Sequence, residues 1–196
     1  MGLAATIDTR NRWSRTSHGS ILAHVRVVAG SLRGRRIESP RGDTTRPTTD
    51  KVREAVFNAL GSADVVVGAK VLDLFAGTGA MGIEALSRGA LHCTFVEKDR
   101  DALKVLRENI AALGLEDVST VVSGDASSAH HASIECDLLI ADPPYGYDSW
   151  QTLLNNVRAT FVVIESSDSI GEIEGWDMLR ERKYGRTTVT FLCPAV

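Results

Sequence analysis

The sequence predicts an α/β fold, a parallel sheet covered by helices on both faces, with a small basic β-hairpin ahead of it. Three observations carry that expectation. From residue 70 onward, short and strongly apolar runs recur: VLDLFA, HCTFVE, VSTVVS, CDLLIA and TFVVIES. Segments with helical spacing lie among them, namely GAMGIEALSRG, RDALKVLRENIAALG and SWQTLLNNVR. Acidic residues then fall where successive runs end. Runs this apolar suit strands buried on both faces, and their alternation with helices is the mark of parallel crossovers.

The elements follow in order. Residues 1–24 are polar, dotted with Arg10, Arg12 and Arg15 and without periodicity, so a disordered leader is expected. Residues 25–60 form a separate extension. HVRVVAG and RRIES flank GSLRG as a short hairpin studded with Arg26, Arg33, Arg35 and Arg36. TTRPTTDKVREAVFNAL then reads as a helix with Thr48 or Thr49 as N-cap and Asp50 in the first turn. Val52, Ala55, Val56, Ala59 and Leu60 share its packed face. The main domain spans 61–196, with helices closed by Gly89 and Gly114 and a short polar helix or loop over residues 126–134. The tail MLRERKYGRTTVTFL predicts two strands meeting at Tyr184 to Arg186, an antiparallel pair at the sheet's edge.

Composition narrows the function classes. At 196 residues and 43% hydrophobic, the chain can bury one substantial core. Cys93, Cys136 and Cys193 show no Cys-x-x-Cys pairing, which predicts neither a disulfide framework nor a zinc site. His130 and His131 belong to an expected exposed turn, and no metal is expected. No apolar stretch approaches membrane-spanning length, so a soluble, cytoplasmic monomer is expected. The net charge of -3 conceals an asymmetry: residues 1–60 carry +6 and residues 61–196 carry -9. A basic extension on an acidic body suits a partner such as RNA, with Arg26, Arg33, Arg35, Arg36, Arg46, Lys51 and Arg53 as candidate contacts.

The glycines raise a choice of cofactor. Gly77-Thr78-Gly79-Ala80-Met81-Gly82 fits G-x-G-x-x-G between a strand and a helix, with Glu97 ending the next strand, so an NAD-dependent oxidoreductase must be weighed. Asp73 argues against it. A pyrophosphate needs positive potential there, whereas S-adenosylmethionine (AdoMet) brings an ammonium and a sulfonium that a carboxylate attracts. Glu97 can accept from both ribose hydroxyls and Asp125, in SGDA, from the adenine amino group. Phe75, Ala76, Thr78, Lys98 and Ala126 flank these positions and complete the candidate set. Each acid alone would suit a helix cap or a solvated turn equally; three at three strand ends on one sheet edge suit a ligand.

Asp142-Pro143-Pro144-Tyr145 ends the strand CDLLIA, which should lie beside the first strand of the sheet. An exocyclic amine on a nucleobase is a poor nucleophile because its lone pair is delocalised. The Asp142 carboxylate and Pro143 carbonyl can accept its two N–H bonds and aim the nitrogen, the prolines hold those acceptors still, and Tyr145 offers a stacking face. A cytosine C5 methyltransferase would need a thiolate in this motif, and none is there. A non-catalytic RNA-binding protein would not require Asp142 or the glycines. Guanine N2 and adenine N6 suit the same acceptor pair, so the residues leave both open.

DLFAGTG, FVE, GDA and DPPY, in this order, resemble the Rossmann-like class I AdoMet-dependent methyltransferases that modify exocyclic amines. VRVVAGSLRGRRI, TRPTTDKVREAVFNAL, GIEALSRGA and KYGRTTVTF resemble the RsmD family of 16S ribosomal RNA guanine-N2 methyltransferases, over roughly residues 25–193. The resemblance implies a seven-stranded, mostly parallel sheet with a reversed last strand, an N-terminal hairpin that helps hold RNA, and methylation of one guanine in the small subunit. Asp73, Gly77, Gly79, Glu97 and Asp125 would then hold AdoMet, and Asp142 to Tyr145 the guanine. The chain departs from that pattern in its leader, in the missing Pro-Gly-Gly turn before TFVVIES, and in Arg186, where an acidic or small residue is common.

Overall fold

The computed structural model describes residues 25–39, 50–128 and 134–196; the expected leader, Thr48, Thr49, Arg46, His130 and His131 lie outside them. Strands β1 (Val25–Arg26) and β2 (Arg36–Ile37) pair antiparallel as a minimal hairpin, Val25 opposite Ile37. Helix α1 (Asp50–Ser62) follows. The main sheet then comprises β3 (Lys70–Leu74), β4 (His92–Glu97), β5 (Ser119–Ser123), β6 (Glu135–Ala141), β7 (Arg158–Ser166), β8 (Trp176–Tyr184) and β9 (Thr187–Pro194). Their spatial order is β5-β4-β3-β6-β7-β9-β8, with β9 antiparallel to both neighbours and the rest of one sense. The expected parallel sheet with one reversed strand is therefore observed. Its switch point lies between β3 and β6, where strand order turns back.

Two cores flank the sheet. On one face α1, α2 (Ala80–Ser87), α3 (Arg100–Leu113) and the hairpin cover Val71, Phe95, Leu138, Val163 and Phe191. On the other, α4 (Trp150–Asn155) covers Leu72, Leu74, Leu139, Val162 and Ile164. Alternate residues of one strand thus enter opposite cores, which explains why the runs read as continuously apolar. Helix α3 begins where the Asp99 side chain accepts from the N–H groups of Asp101 and Ala102, and closes on left-handed Gly114. Helix α4 is shorter than its spacing suggests. The Asn156 side chain donates back to the Thr152 carbonyl at 3.0 Å, and Arg158 is already paired with Glu135 in the sheet.

The hairpin is stapled to the body by Glu84 of α2. This wholly buried carboxylate accepts from the backbone N–H groups of Val28 at 2.7 Å and Ala29 at 3.0 Å, and from Arg88 Nε at 2.7 Å. Arg53 Nε lies 3.6 Å away, and Arg53 also pairs with Asp50 at 2.8 Å and donates to the Arg26 carbonyl. Arg53 is completely buried. Its expected role as an RNA contact is therefore corrected: it joins α1, α2 and β1. Arg26, Arg33, Arg35, Arg36 and Lys51 are exposed.

Candidate active site

Strand β3 delivers Asp73 and Leu74 to the carboxyl edge, and the chain then turns sharply through Phe75, which adopts the left-handed φ of 60°. A bulky side chain there is uncommon and costs energy. The Phe75 ring is held in place by Tyr147, with centroids 5.2 Å apart and planes at 67°, and Tyr147 in turn meets Trp150 edge-on at 4.8 Å. The Tyr147 hydroxyl lies 3.3 Å from Ser127 Oγ. One ring thus braces the turn after β3, the loop after β5 and the start of α4. Tyr147 was not among the expected site residues, because loop residues share no period; the aromatic in YGY beside DPPY was the available signal.

The glycine turn is built around two carboxylates. Asp73 Oδ2 accepts from Gly82 N–H, in the first turn of α2, at 2.9 Å. Glu97 Oε2 accepts from Gly77 N–H at 2.7 Å, while its Oε1 accepts from the N–H groups of Lys98 and Asp99, both at 2.8 Å. Gly79 needs its φ of 87°, and a Cβ on Gly82 would stand 2.3 Å from the Phe95 ring, so α2 sits too close to β4 for any side chain there. Among the described residues, its chain neighbours aside, nothing lies within 4 Å of where a Gly77 Cβ would be, which leaves that turn open to a ligand. Asp125 follows β5, with Oδ1 accepting from Ser127 N–H at 2.9 Å and Oδ2 3.0 Å from Lys98 Nζ. The Ser127 amide and then Lys98 hold its carboxyl below the ordinary range. Ala126 is buried beneath it.

The acceptor corner lies where strand order predicts. Leu74 pairs with Ala141, so Asp142 leaves the sheet alongside Phe75, about one strand spacing (~4.8 Å) away. Asp142 and Pro143 are half-buried, Pro144 is exposed and Tyr145 is 69% exposed, open for stacking. Asp142 and Glu97 both act electrostatically on Asp73. The corner and the glycine turn therefore lie side by side at the carboxyl edge of the sheet. Burial pushes the thiols of Cys136, to about 12, and of Cys93 upward, so neither offers the thiolate of a C5 methyltransferase.

Asp73 is buried, and that burial raises its carboxyl from 3.8 to about 7; the Gly82 bond opposes the rise, and Asp142 and Glu97 add to it. A raised acid binds its proton more tightly in the folded state, so its stability contribution is complete below pH 3.8 and is lost as pH rises through about 7. Each unit corresponds to ~1.4 kcal/mol. Asp73→Asn keeps an oxygen for Gly82 N–H but cannot ionise. Urea melts at pH 5 and pH 8 are expected to show the Asn variant gaining on the wild type by on the order of a few kcal/mol; an equal difference at both pH values would contradict this.

A family model described as Conserved hypothetical protein 95 matches residues 25–193. The chain belongs to that family, the RsmD family. Bacillus subtilis YlbH is 36% identical over 182 residues, which cover 84% of this chain and 96% of that protein. The Escherichia coli protein named Ribosomal RNA small subunit methyltransferase D is 40% identical over 121 residues, 62% of this chain and 60% of that one. The solved structure of Escherichia coli yhhF superposes with a TM-score of 0.77 at 32% identity, covering 88% of this chain and 99% of that one. As a member of the RsmD family the chain is a methyltransferase. Among the described residues no helix is long and apolar enough to cross a membrane.

Proposed function

We propose that this RsmD-family enzyme transfers a methyl group from AdoMet to the exocyclic N2 amine of a guanine in small-subunit ribosomal RNA. One observation carries the reading. Asp73 and Glu97 hold an open glycine turn with Asp142 on the neighbouring strand, and burial, with the charges of Asp142 and Glu97 adding to it, disfavours the Asp73 anion. A nicotinamide dinucleotide would add phosphate charge to that cluster; a sulfonium with an ammonium relieves it. The donor set fits AdoMet, with Asp73, Phe75, Ala76, Gly77, Thr78 and Gly79 forming the turn and Glu97, Lys98, Asp125 and Ala126 the ribose and adenine side.

When bound, AdoMet supplies an electrophilic methyl group. The protein supplies the rest. The target base stacks on Tyr145, and the Asp142 carboxylate and Pro143 carbonyl accept its amine N–H bonds, aiming the lone pair across the switch point. Pro143 and Pro144 fix that backbone, and Asp142 stands ready for the proton that the methylated nitrogen sheds. The names of the relatives support ribosomal RNA as substrate, and the motif resemblance supports guanine N2 over adenine N6. Arg26, Arg33, Arg35, Arg36 and Lys51 supply an exposed basic surface on the extension, to which Arg46 belongs in sequence.

Two measurements test the reading. Titration calorimetry is expected to show AdoMet binding and no NADH binding, with a proton released near pH 7 as Asp73 ionises. The reverse ligand preference would refute it. Nucleoside mass spectrometry of 16S ribosomal RNA is expected to show N2-methylguanosine reduced in a strain lacking the gene; loss of N6-methyladenosine instead would move the target to adenine.

A further inference from the structure

The cleft holding Tyr145 has a volume of about 490 Å³ and is lined by Tyr145, Ser167, Asp168, Lys183, Gly185 and Arg186. Its walls are the acceptor corner, the segment after β7 and the β8–β9 turn. None of them belongs to the N-terminal hairpin. The apical loop of that hairpin packs instead over the last residue of α2, with Ser31 N–H donating to the Ser87 carbonyl at 2.8 Å, and Arg35 donates to the Ala112 carbonyl near the end of α3 at 2.7 Å. Both helices start at the carboxyl edge of the sheet, and α2 runs from there toward the opposite edge. Helix α2 has 8 residues and spans ~12 Å. Arg33 and Arg35 therefore sit by the last residues of these helices, whereas the other end of the hairpin approaches the glycine turn, where Asn109 donates to the carbonyls of both Glu38 at 3.1 Å and Thr78 at 3.0 Å.

The β8–β9 hairpin is placed otherwise. β8 is the edge strand, exposed from Asp177 to Lys183, on both of its faces. Residues 180–186 read RERKYGR, four cations and one acid. That acid, Glu181, is turned toward hydroxyls, accepting from Ser169 Oγ at 2.8 Å and Thr190 Oγ1 at 3.2 Å. In the cleft itself Lys183 and Arg186 face a single carboxylate, Asp168, whose Oδ2 accepts from the Ser167 hydroxyl at 3.0 Å. The lining therefore carries a net positive charge beside an exposed aromatic ring.

We infer that the β8–β9 hairpin is a second RNA-binding surface, on which Lys183 and Arg186 grip the phosphodiester backbone flanking the base stacked on Tyr145. The inference rests on the proposed RNA substrate and adds where its strand runs. A base reached by Asp142 must leave its stack, and an extruded nucleotide needs its backbone held on the side where the base enters. Lysine supplies a point charge and arginine a planar fork for phosphate oxygens. Arg186, a departure from the family pattern, thereby becomes part of how this chain holds its substrate.

The test compares the full-length K183A/R186A variant with wild type on 16S ribosomal RNA, with K104A on α3 as a control for loss of surface charge. Both cleft residues are exposed, so thermal melts are expected to coincide. The double variant is expected to raise the KM for RNA by about tenfold or more with kcat and AdoMet affinity near wild type. The salt slope of RNA binding should flatten by about 1.4, roughly 0.7 for each single-strand phosphate that is no longer neutralised. K104A should change neither. An unchanged KM and salt slope in the double variant would overturn the inference, whereas wild-type protein that binds RNA and yields no methylated guanosine would instead overturn the proposed function.

Discussion

Asp142→Ala is expected to lower methyl transfer by about 10²-fold or more while AdoMet affinity stays within a few-fold of wild type. The split follows from position. Asp142 lies beyond the last paired residue of β6, beside Phe75, whereas the glycine turn is held by Glu97 and Asp73 through hydrogen bonds that do not involve it. On the proposed mechanism, removing the carboxylate leaves the amine with one acceptor, the Pro143 carbonyl, and the lone pair is no longer aimed. It also removes one of the like charges that raise Asp73, so AdoMet binding should become slightly less dependent on pH near 7. Asp142→Asn keeps one acceptor oxygen and should fall between the two. Single-turnover assays read the chemical step directly, and an Ala variant with near-normal turnover would place the acceptor elsewhere.

Glu84→Ala is expected to destabilise the fold by about 3–5 kcal/mol, the range for breaking a buried ion pair by removing one partner. Glu84 serves two backbone amides of the hairpin, Arg88, and the buried Arg53. Without it Arg53 is left buried with, among the described residues, only Asp50 as counter-charge, and the Val28 and Ala29 N–H groups lose their acceptor. Arg88 also stacks over Phe57 of α1, with its guanidinium carbon 5.2 Å from the ring centroid, so the damage should reach α1. Glu84→Gln retains acceptor oxygen but not charge and should lose less. Urea unfolding measures this, and an Ala variant within about 1 kcal/mol of wild type would show that the staple is dispensable.

Much of the architecture was legible because burial on both faces leaves its own signature: VLDLF and DLLIA lack polar alternation for the reason that each strand feeds two cores. The neighbourhood of Asp142 and Asp73 was legible too, since strand order in a parallel sheet brings the first and fourth strands together. Arg53 was misread because its charge suggested RNA while its partner lies 31 positions away in α2. The clue was Glu84 itself, a carboxylate inside the apolar run GIEALS, which needs a cation once buried. Helix α4 was overextended because its end depends on one side-chain bond and on pairing with a distant strand, neither of which periodicity registers.

Tyr147 has a consequence for anyone reshaping this enzyme. Its ring leans on Phe75, the residue whose unusual backbone opens the turn after β3, yet it is encoded in the loop that also carries the acceptor corner. The proposed donor and acceptor halves are therefore not separable modules. A chimera that imports a different 143–149 loop to change the target base also replaces the buttress of the donor's cradle, and only grafts that preserve an aromatic at that position leave the cradle intact.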